Sequence, residues 1–578
     1  MFMTATSSRA VLRLAMVATA LSLAFADAVY AQVVVVPPTP QIGSSNPITA
    51  EPAVTRPDTR PCVVRLFKNL EFADYNTKSF SYAPPSACPG PWAKVVFTAD
   101  FTVTAGRQYD RTAAFYLGKA NIYYGTTAEP RAALSPSWHV ERDVTDLTPV
   151  FKSAETGEAN IGNFVGVYNG VTYNGIIYAN AALEFYPASW QDRAPVTPDI
   201  VVPVNGTGGD AGTLNTTTDQ ITQTLNLPTN VERVYLDIIA QSQSNDEFWY
   251  FCVPNDQTSN LESCGNTAFR ETEVVIDGQP AGVAPVYPWI FTGGIDPYLW
   301  EPIPGVQTLD FKPYRVDLTP FAGVLSDGKT HNVGISVYNA DSYFLATANL
   351  LVYEDHGKQK VNGGLLSNTL SASPSPVVSE NIVTAAGPEF TGSVSVASNR
   401  KFTIRGYVDT SHGRVETTVE QSVDFLSTQK FDVDASTDVQ NAEQTSTVDS
   451  RVTTRDGFLS STVEKHLSYP LTLDYSFVVN ADGSYTQVVT STQQDLARES
   501  QNVHGFMAYE RNLDNEVNAT DTYNWDSSGN PLGPSGSITK QTYRIEDSLG
   551  RCYDRTLTAT EQKLTSVTGG PGCDHRKR

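Results

Sequence analysis

Tyr475-Ser-Phe-Val-Val479 and Tyr485-Thr-Gln-Val-Val489 flank a short Asn-Ala-Asp482-Gly483-Ser link, and the reading of this stretch decides the fold class. Both arms are β-branched and aromatic, which suits a pleated, half-buried surface. Between them, Asp-Gly supplies a reversal, because glycine takes positive φ without steric cost. The stretch is predicted to be a β-hairpin. Its pattern repeats outward in both directions. Val63–Phe67, Ala93–Thr98, Thr112–Leu117, Ile122–Tyr124 and Ala181–Tyr186 read as short strands, as do Val234–Ile239, Val274–Ile276, Val333–Val337, Asn349–Tyr353 and Phe402–Val408. Helical periodicity of any length is missing. Short strands divided by Gly, Pro and Asn turns predict an all-β protein of sandwich type.

The 578 residues exceed one ordinary core. Residues 1–31 read as a secretory signal peptide. Arg9 and Arg13 precede the apolar run Leu14–Phe25, and Val29-Tyr30-Ala31 places small residues at the cleavage positions, leaving Gln32 as the mature N-terminus. Residues 32–60 are Pro-, Thr- and Val-rich without a period and read as a linker. A first β domain then spans 61–187, a Pro/Thr/Asn/Gly-rich connector 188–229, and a second β domain 230–356. After a break at Gly357–Gly364, residues 365–578 turn rich in Ser, Thr, Gln and Asp while staying β-patterned, and read as a separate C-terminal β domain.

Six cysteines fall into three sequence-local pairs, Cys62 with Cys88, Cys252 with Cys264 and Cys552 with Cys573. An even count in an exported chain predicts disulfides, and the expected location is secreted or periplasmic. The formal charge of −22 excludes a nucleic-acid partner, since a phosphate backbone would be repelled. No segment beyond the leader is apolar enough to span a membrane, so no membrane partner is expected after cleavage.

Standard signatures fail. There is no Gly-x-Ser-x-Gly elbow, and the seven histidines are scattered, never in a metal-binding spacing. Gly206-Thr-Gly208-Gly-Asp-Ala211 loosely fits a dinucleotide fingerprint, but with no helix after it this is a loop. Three segments set carboxylates among aromatic residues, where apolar surroundings shift pKa values toward acid–base work. They are Gly106-Arg-Gln-Tyr-Asp110-Arg111, Asn245-Asp246-Glu247-Phe-Trp249-Tyr250, and Trp289 through Asp296 to Trp300-Glu301. Core packing and turn chemistry explain each of them as well, so composition leaves their roles open.

Together these segments resemble the peptide-N-glycosidase A family. Thr127-Ala-Glu129-Pro130, Trp138 with Arg142-Asp143-Val-Thr, Phe291-Thr-Gly-Gly-Ile-Asp-Pro, Val316-Asp317-Leu-Thr-Pro-Phe and Leu325-Ser-Asp-Gly-Lys also fit, covering about residues 60 to 355. The family is similar in turn to the bacterial peptide-N-glycosidase F type. The resemblance implies two tandem jelly-roll sandwiches with a site at their interface, Asp110 as the catalytic aspartate that activates water or the amide, and Glu247 as the second essential carboxylate. It implies substrate contacts from Arg111, Trp249, Asp246, Glu129, Trp138, Trp289, Asp296, Trp300 and Glu301. No metal or cofactor is implied. A further acid of the F type falls near Tyr168-Asn169, where no carboxylate stands, and an Arg expected near Phe291–Trp300 is absent. The implied activity is hydrolysis of the amide joining N-acetylglucosamine to asparagine, at acidic pH, with an N-glycopeptide or glycoprotein as partner. A non-catalytic glycan-binding or adhesion protein, and a carboxylate glycoside hydrolase, are the competing readings.

Overall fold

The computed structural model describes residues 40–384, 389–457 and 459–573. The leader and the start of the linker lie outside the described residues. Strand is the dominant regular element among the described residues, and their helical elements are short 3₁₀ turns and one four-residue α turn.

The first unit is a sandwich of two four-stranded antiparallel sheets. One sheet runs Cys62–Phe72, Ile177–Pro187, Trp92–Val103, Ser137–Asp143; the other runs Lys78–Tyr82, Glu155–Ile161, Thr112–Leu117, Ala120–Thr126. Phe97, Phe101, Phe115 and Tyr123 fill the space between them. The second unit packs a five-stranded sheet, built around Val231–Ser242 and Asp341–Glu354, against a four-stranded sheet of Ile221–Leu225, His331–Tyr338, Glu271–Ile276 and Gln279–Pro285. The hairpin at Asp277-Gly278 joins the last two, with positive φ at both residues as a type I′ reversal requires. An all-β, sandwich-built fold follows.

The stretch 188–229 is more than a connector. It carries the strands Ile200–Val204, Gly212–Thr216 and Ile221–Leu225, all built into the second sandwich. They were hidden because each is only five residues long, and because Pro203 sits on a sheet-edge strand, where a missing N–H is tolerated. The Gly206–Ala211 motif is the turn between two of them.

Residues 362–571 form one eleven-stranded sheet, mostly an antiparallel meander that includes the Tyr475/Tyr485 hairpin. Several strands run 21 residues, about 70 Å at roughly 3.4 Å per residue. Alternate side chains such as Phe402, Val423, Phe425, Leu471 and Leu473 face inward and join the same apolar core as the second sandwich. The C-terminal β sheet thus shares its apolar core with the second sandwich. A polar, alternating sheet this long has too little apolar surface for its own core, and completes one by covering its neighbour. The segment before Cys62 is likewise held rather than free. Ala50 is buried among Tyr543, Leu557 and Leu564, and the Arg56 guanidinium lies between Glu141 and Glu184.

Three disulfides, Cys62–Cys88, Cys252–Cys264 and Cys552–Cys573, follow the local pairing expected. No helix among the described residues is long and apolar enough to cross a membrane.

Candidate active site between the two sandwiches

The two sandwiches meet along the strand Ala120–Thr126. The Thr126 N–H donates to Thr308 O at 2.9 Å, the Phe311 N–H to Tyr124 O at 2.9 Å, and the Tyr123 hydroxyl to Leu309 O at 2.6 Å. Arg142 of the first unit pairs with Asp310 of the second. At the end of this seam the carboxylate segments converge.

Asp110 lies in the loop leading into Thr112–Leu117. Gly106 opens that loop at φ +147, pressed against Asn174 and Gly175 where a Cβ would collide. The loop then runs beside residues 127–129. Thr127 N–H donates to Arg111 O at 2.8 Å, Arg111 N–H to Thr127 Oγ1 at 2.9 Å, and Asp110 N–H to the Glu129 carboxylate at 3.0 Å. From the second sandwich, the Gly293 N–H donates to Asp110 Oδ2 at 2.8 Å. A Cβ on Gly293 would stand 2.1 Å from Glu129 Oε2, so glycine lets this backbone reach the pair without displacing the Glu129 carboxylate.

Glu247 sits on the turn after Val231–Ser242. Its neighbour Asp246 is an anchor. The Arg270 side chain holds Asp246 Oδ1 at 2.9 Å and the Asp341 N–H holds Oδ2 at 2.7 Å. Successive side chains of a tight 3₁₀ turn diverge by about 120°, so an inward Asp246 turns Glu247 outward. Among the described residues the Glu247 carboxylate has no hydrogen-bond or ion-pair partner, and its pKa is governed by burial and by the charge of Asp110. The Cys252–Cys264 bridge closes the same loop five residues on.

Burial and proximity shift all three carboxyls the same way. Desolvation pushes Asp110 up, opposed by the Gly293 N–H and the Arg111 charge. Desolvation and then the charge of Asp110 raise Glu129 and Glu247, each to about 7. With Glu129 and Glu247 each feeling the charge of Asp110 where burial desolvates all three, they cannot all ionise below neutrality. The Arg111 guanidinium stands 5.6 Å over the Tyr109 ring, and its buried Nε has no partner. Beside it, Gln241 Oε1 accepts from Thr112 and Tyr124 hydroxyls at 3.0 and 2.8 Å.

Asp110, Arg111, Glu129 and Glu247 are thus brought together. The side chains of the other expected contacts are buried or already partnered in the structure. Trp138, Trp249, Trp289 and Trp300 are 2%, 1%, 5% and 3% exposed. Trp138 stacks on Phe101, Trp289 on Phe311 at 4.1 Å, Trp249 packs toward Phe425, and the Trp300 indole donates to Gly294 O. Asp246 is spent on Arg270, Glu301 on Arg131, and Asp296 shares a hydrogen bond with Asp521 of the large sheet. Trp138 is core of the first sandwich, paired across its sheet with Phe101, whereas the large eleven-stranded sheet covers the segments that carry Trp249 and Trp300. Gly293 also belongs to the site, its only signal in the sequence being the Gly-Gly pair of the third segment, while Phe248 lies within the second segment.

With this geometry in view, residues 52–371 match the model of the peptide N-acetyl-β-D-glucosaminyl asparaginase amidase A family. The chain belongs to that family. A relative in Prunus dulcis, peptide-N4-(N-acetyl-β-glucosaminyl)asparagine amidase A, is 27% identical over 541 residues, covering 90% of this chain and 91% of the relative. Among solved structures, PNGase F of Flavobacterium meningosepticum aligns at 14% identity over 51% of this chain and 96% of its own, with a TM-score of 0.34. PNGF-II aligns at 13% identity over 51% and 66%, with a TM-score of 0.35. The family assignment, rather than these distant folds, bears on what the site does.

Proposed function

We propose that the protein is an amidohydrolase releasing N-linked glycans by cleaving the amide between the innermost N-acetylglucosamine and asparagine. Family membership supports the reaction class. The observation that carries the site is the Asp110 carboxylate, held by a backbone N–H from the opposite sandwich and electrostatically coupled to the unpartnered Glu247.

In this reading Asp110, which accepts the Gly293 N–H across the seam and has Arg111 next to it in the chain, carries the charge, and Glu247, with no hydrogen-bond donor or cation of its own, holds a proton. Asp110 takes a proton from water as the oxygen attacks the side-chain carbonyl carbon of the glycosylated asparagine. Arg111 faces the carbonyl oxygen as it gains charge. Glu247 delivers a proton to the departing glycosylamine nitrogen as the C–N bond breaks. The products are aspartate in the peptide and a glycosylamine, which a second water converts to the reducing sugar and ammonia. Secretion, implied by the leader and the disulfides, would place the enzyme where glycoproteins are met.

Incubation with an N-glycopeptide, followed by peptide mass spectrometry, tests the proposal. Asp in place of Asn in the freed peptide is expected. A peptide keeping one N-acetylglucosamine would mean a glycoside hydrolase, and an unchanged glycopeptide a binding protein.

A further inference from the structure

The large sheet reaches further than the core it covers. On the strand Leu459–Val479, Leu471 and Leu473 are buried on its inner face, and Tyr475, next on that face, is only half-buried. It opens onto a cavity of about 900 Å³, within the roughly 300–1,000 Å³ of ligand pockets. The opposite wall is the turn that carries Glu247, through Asn245, Phe248 and Phe251. Phe248 packs against Gly294, next to the Gly293 that holds Asp110, and Ile295 of the same loop also lines the space. The cavity is therefore walled by the same turn that carries Glu247 and the same loop that carries Gly293.

The sheet side has a defined composition. Strand pairing sets Tyr475 directly opposite Gln440, and Gln440 Nε2 donates to Asp438 Oδ1, two residues along the same face, at 3.1 Å. An aromatic ring beside an amide and a carboxylate suits a pyranose, whose C–H face stacks on the ring while its hydroxyls bond the polar pair. Glu262 and Asp434 add negative charge, and no Lys, Arg or His lines the space among the described residues. Anionic sugars would be repelled here. The residues of this wall lie beyond the 52–371 stretch that defines the family match.

We propose that this overhang is a glycan subsite, in which the neutral outer residues of the substrate's oligosaccharide lie between Tyr475 and Phe248. The proposal rests on the amidase reading and gives the C-terminal sheet a part in choosing substrates.

The test compares three glycopeptides sharing one peptide: one bearing chitobiose alone, one a neutral high-mannose chain, one a sialylated chain. Wild type should favour the neutral chain over the sialylated one. Tyr475→Ala should lower kcat/KM on the high-mannose glycopeptide by about fivefold or more, as expected for losing one aromatic contact, and leave the chitobiose glycopeptide nearly unchanged. Gln440→Ala, with the ring intact, should act in the same direction, and melting curves establish that both variants fold. Equal losses on both neutral substrates, or no loss on either, would overturn the subsite. Should wild type release nothing from any glycopeptide, the amidase reading falls. Calorimetric binding of free high-mannose oligosaccharide to wild type and Tyr475→Ala then decides the subsite on its own, equal binding or none overturning it.

Discussion

The Gly293 N–H donates to Asp110 Oδ2 at 2.8 Å, so a loop of the second sandwich holds a carboxylate of the first. The contact depends on the missing side chain, because a Cβ at Gly293 would fall 2.1 Å from Glu129 Oε2. Gly293→Ala must push the loop, Glu129 or both aside. Displacing reacting groups by an ångström costs on the order of 10²-fold in rate. We expect kcat on a glycopeptide to fall by about that factor, with a stability loss of about 1–3 kcal/mol for the forced overpacking. Steady-state kinetics and urea titration of the same preparation check both.

Asp110→Asn keeps the size of the side chain and removes the base. General acid–base groups contribute roughly 10²–10⁴-fold, so release should drop by at least the lower figure while the melting temperature holds or rises, because the charge being removed is a buried one that desolvation opposes. Retained activity would reassign the chemistry.

Glu129 and Glu247 both sit near pKa 7, raised by burial and by Asp110. Asp110, whose own pKa burial raises, must be ionised to act as base and so sets an acidic limb, while the limb set by protonated Glu247 falls as pH rises through about 7. Glu247→Gln should abolish that limb along with most of kcat. Glu129→Gln should leave a limb in place, because the charge of Asp110 still raises Glu247. A kcat–pH profile showing rising activity above pH 7 would contradict the assignment.

What the sequence made legible, and what it hid, divides along one physical line. Strand alternation, the Asp277-Gly278 and Asp482-Gly483 reversals, the cysteine pairing and the convergence of Asp110 with Glu247 rest on local pattern or on a resemblance spanning both sandwiches. The burial of Trp249 and Trp300 depends on something distant. Trp249 has Phe425 near it and Trp300 lies under the strands that hold Leu299 through Thr539. Their own neighbourhoods look the same whether a sheet covers them or a sugar does. Asp246 and Glu247 illustrate the point at single-residue scale, since only the partner Arg270, 24 positions away, decides which of two adjacent acids is structural.

The same roof makes a pH-sensitive clamp. Asp296, in the loop of Gly293, hydrogen-bonds Asp521 of the large sheet, and burial followed by the Asp521 charge raises it from 3.8 to about 7. A carboxyl whose folded pKa is raised contributes stability that is fully present below the unfolded value and lost as pH climbs through the folded one. Melting temperature should therefore decline between about pH 4 and pH 7. Asp296→Asn, whose amide donates the same hydrogen bond without ionising, should flatten that decline. An unchanged slope in the variant would show that the clamp does not titrate.

Asp246 and Arg270 are both 0% exposed, and their pairing fixes the turn from which Glu247 projects. Removing one partner leaves an unpaired buried charge, which costs about 3–5 kcal/mol, while removing both is far milder. Asp246→Ala should thus destabilise more than the double variant Asp246→Leu/Arg270→Met, a reversal that chemical denaturation would register directly. Activity should follow a different order. Either change frees the turn and misplaces Glu247, so the double variant is expected to regain stability without regaining kcat. If its kcat returned to wild type, Asp246 would be a folding residue alone, and the orientation of Glu247 would have to come from the Cys252–Cys264 loop.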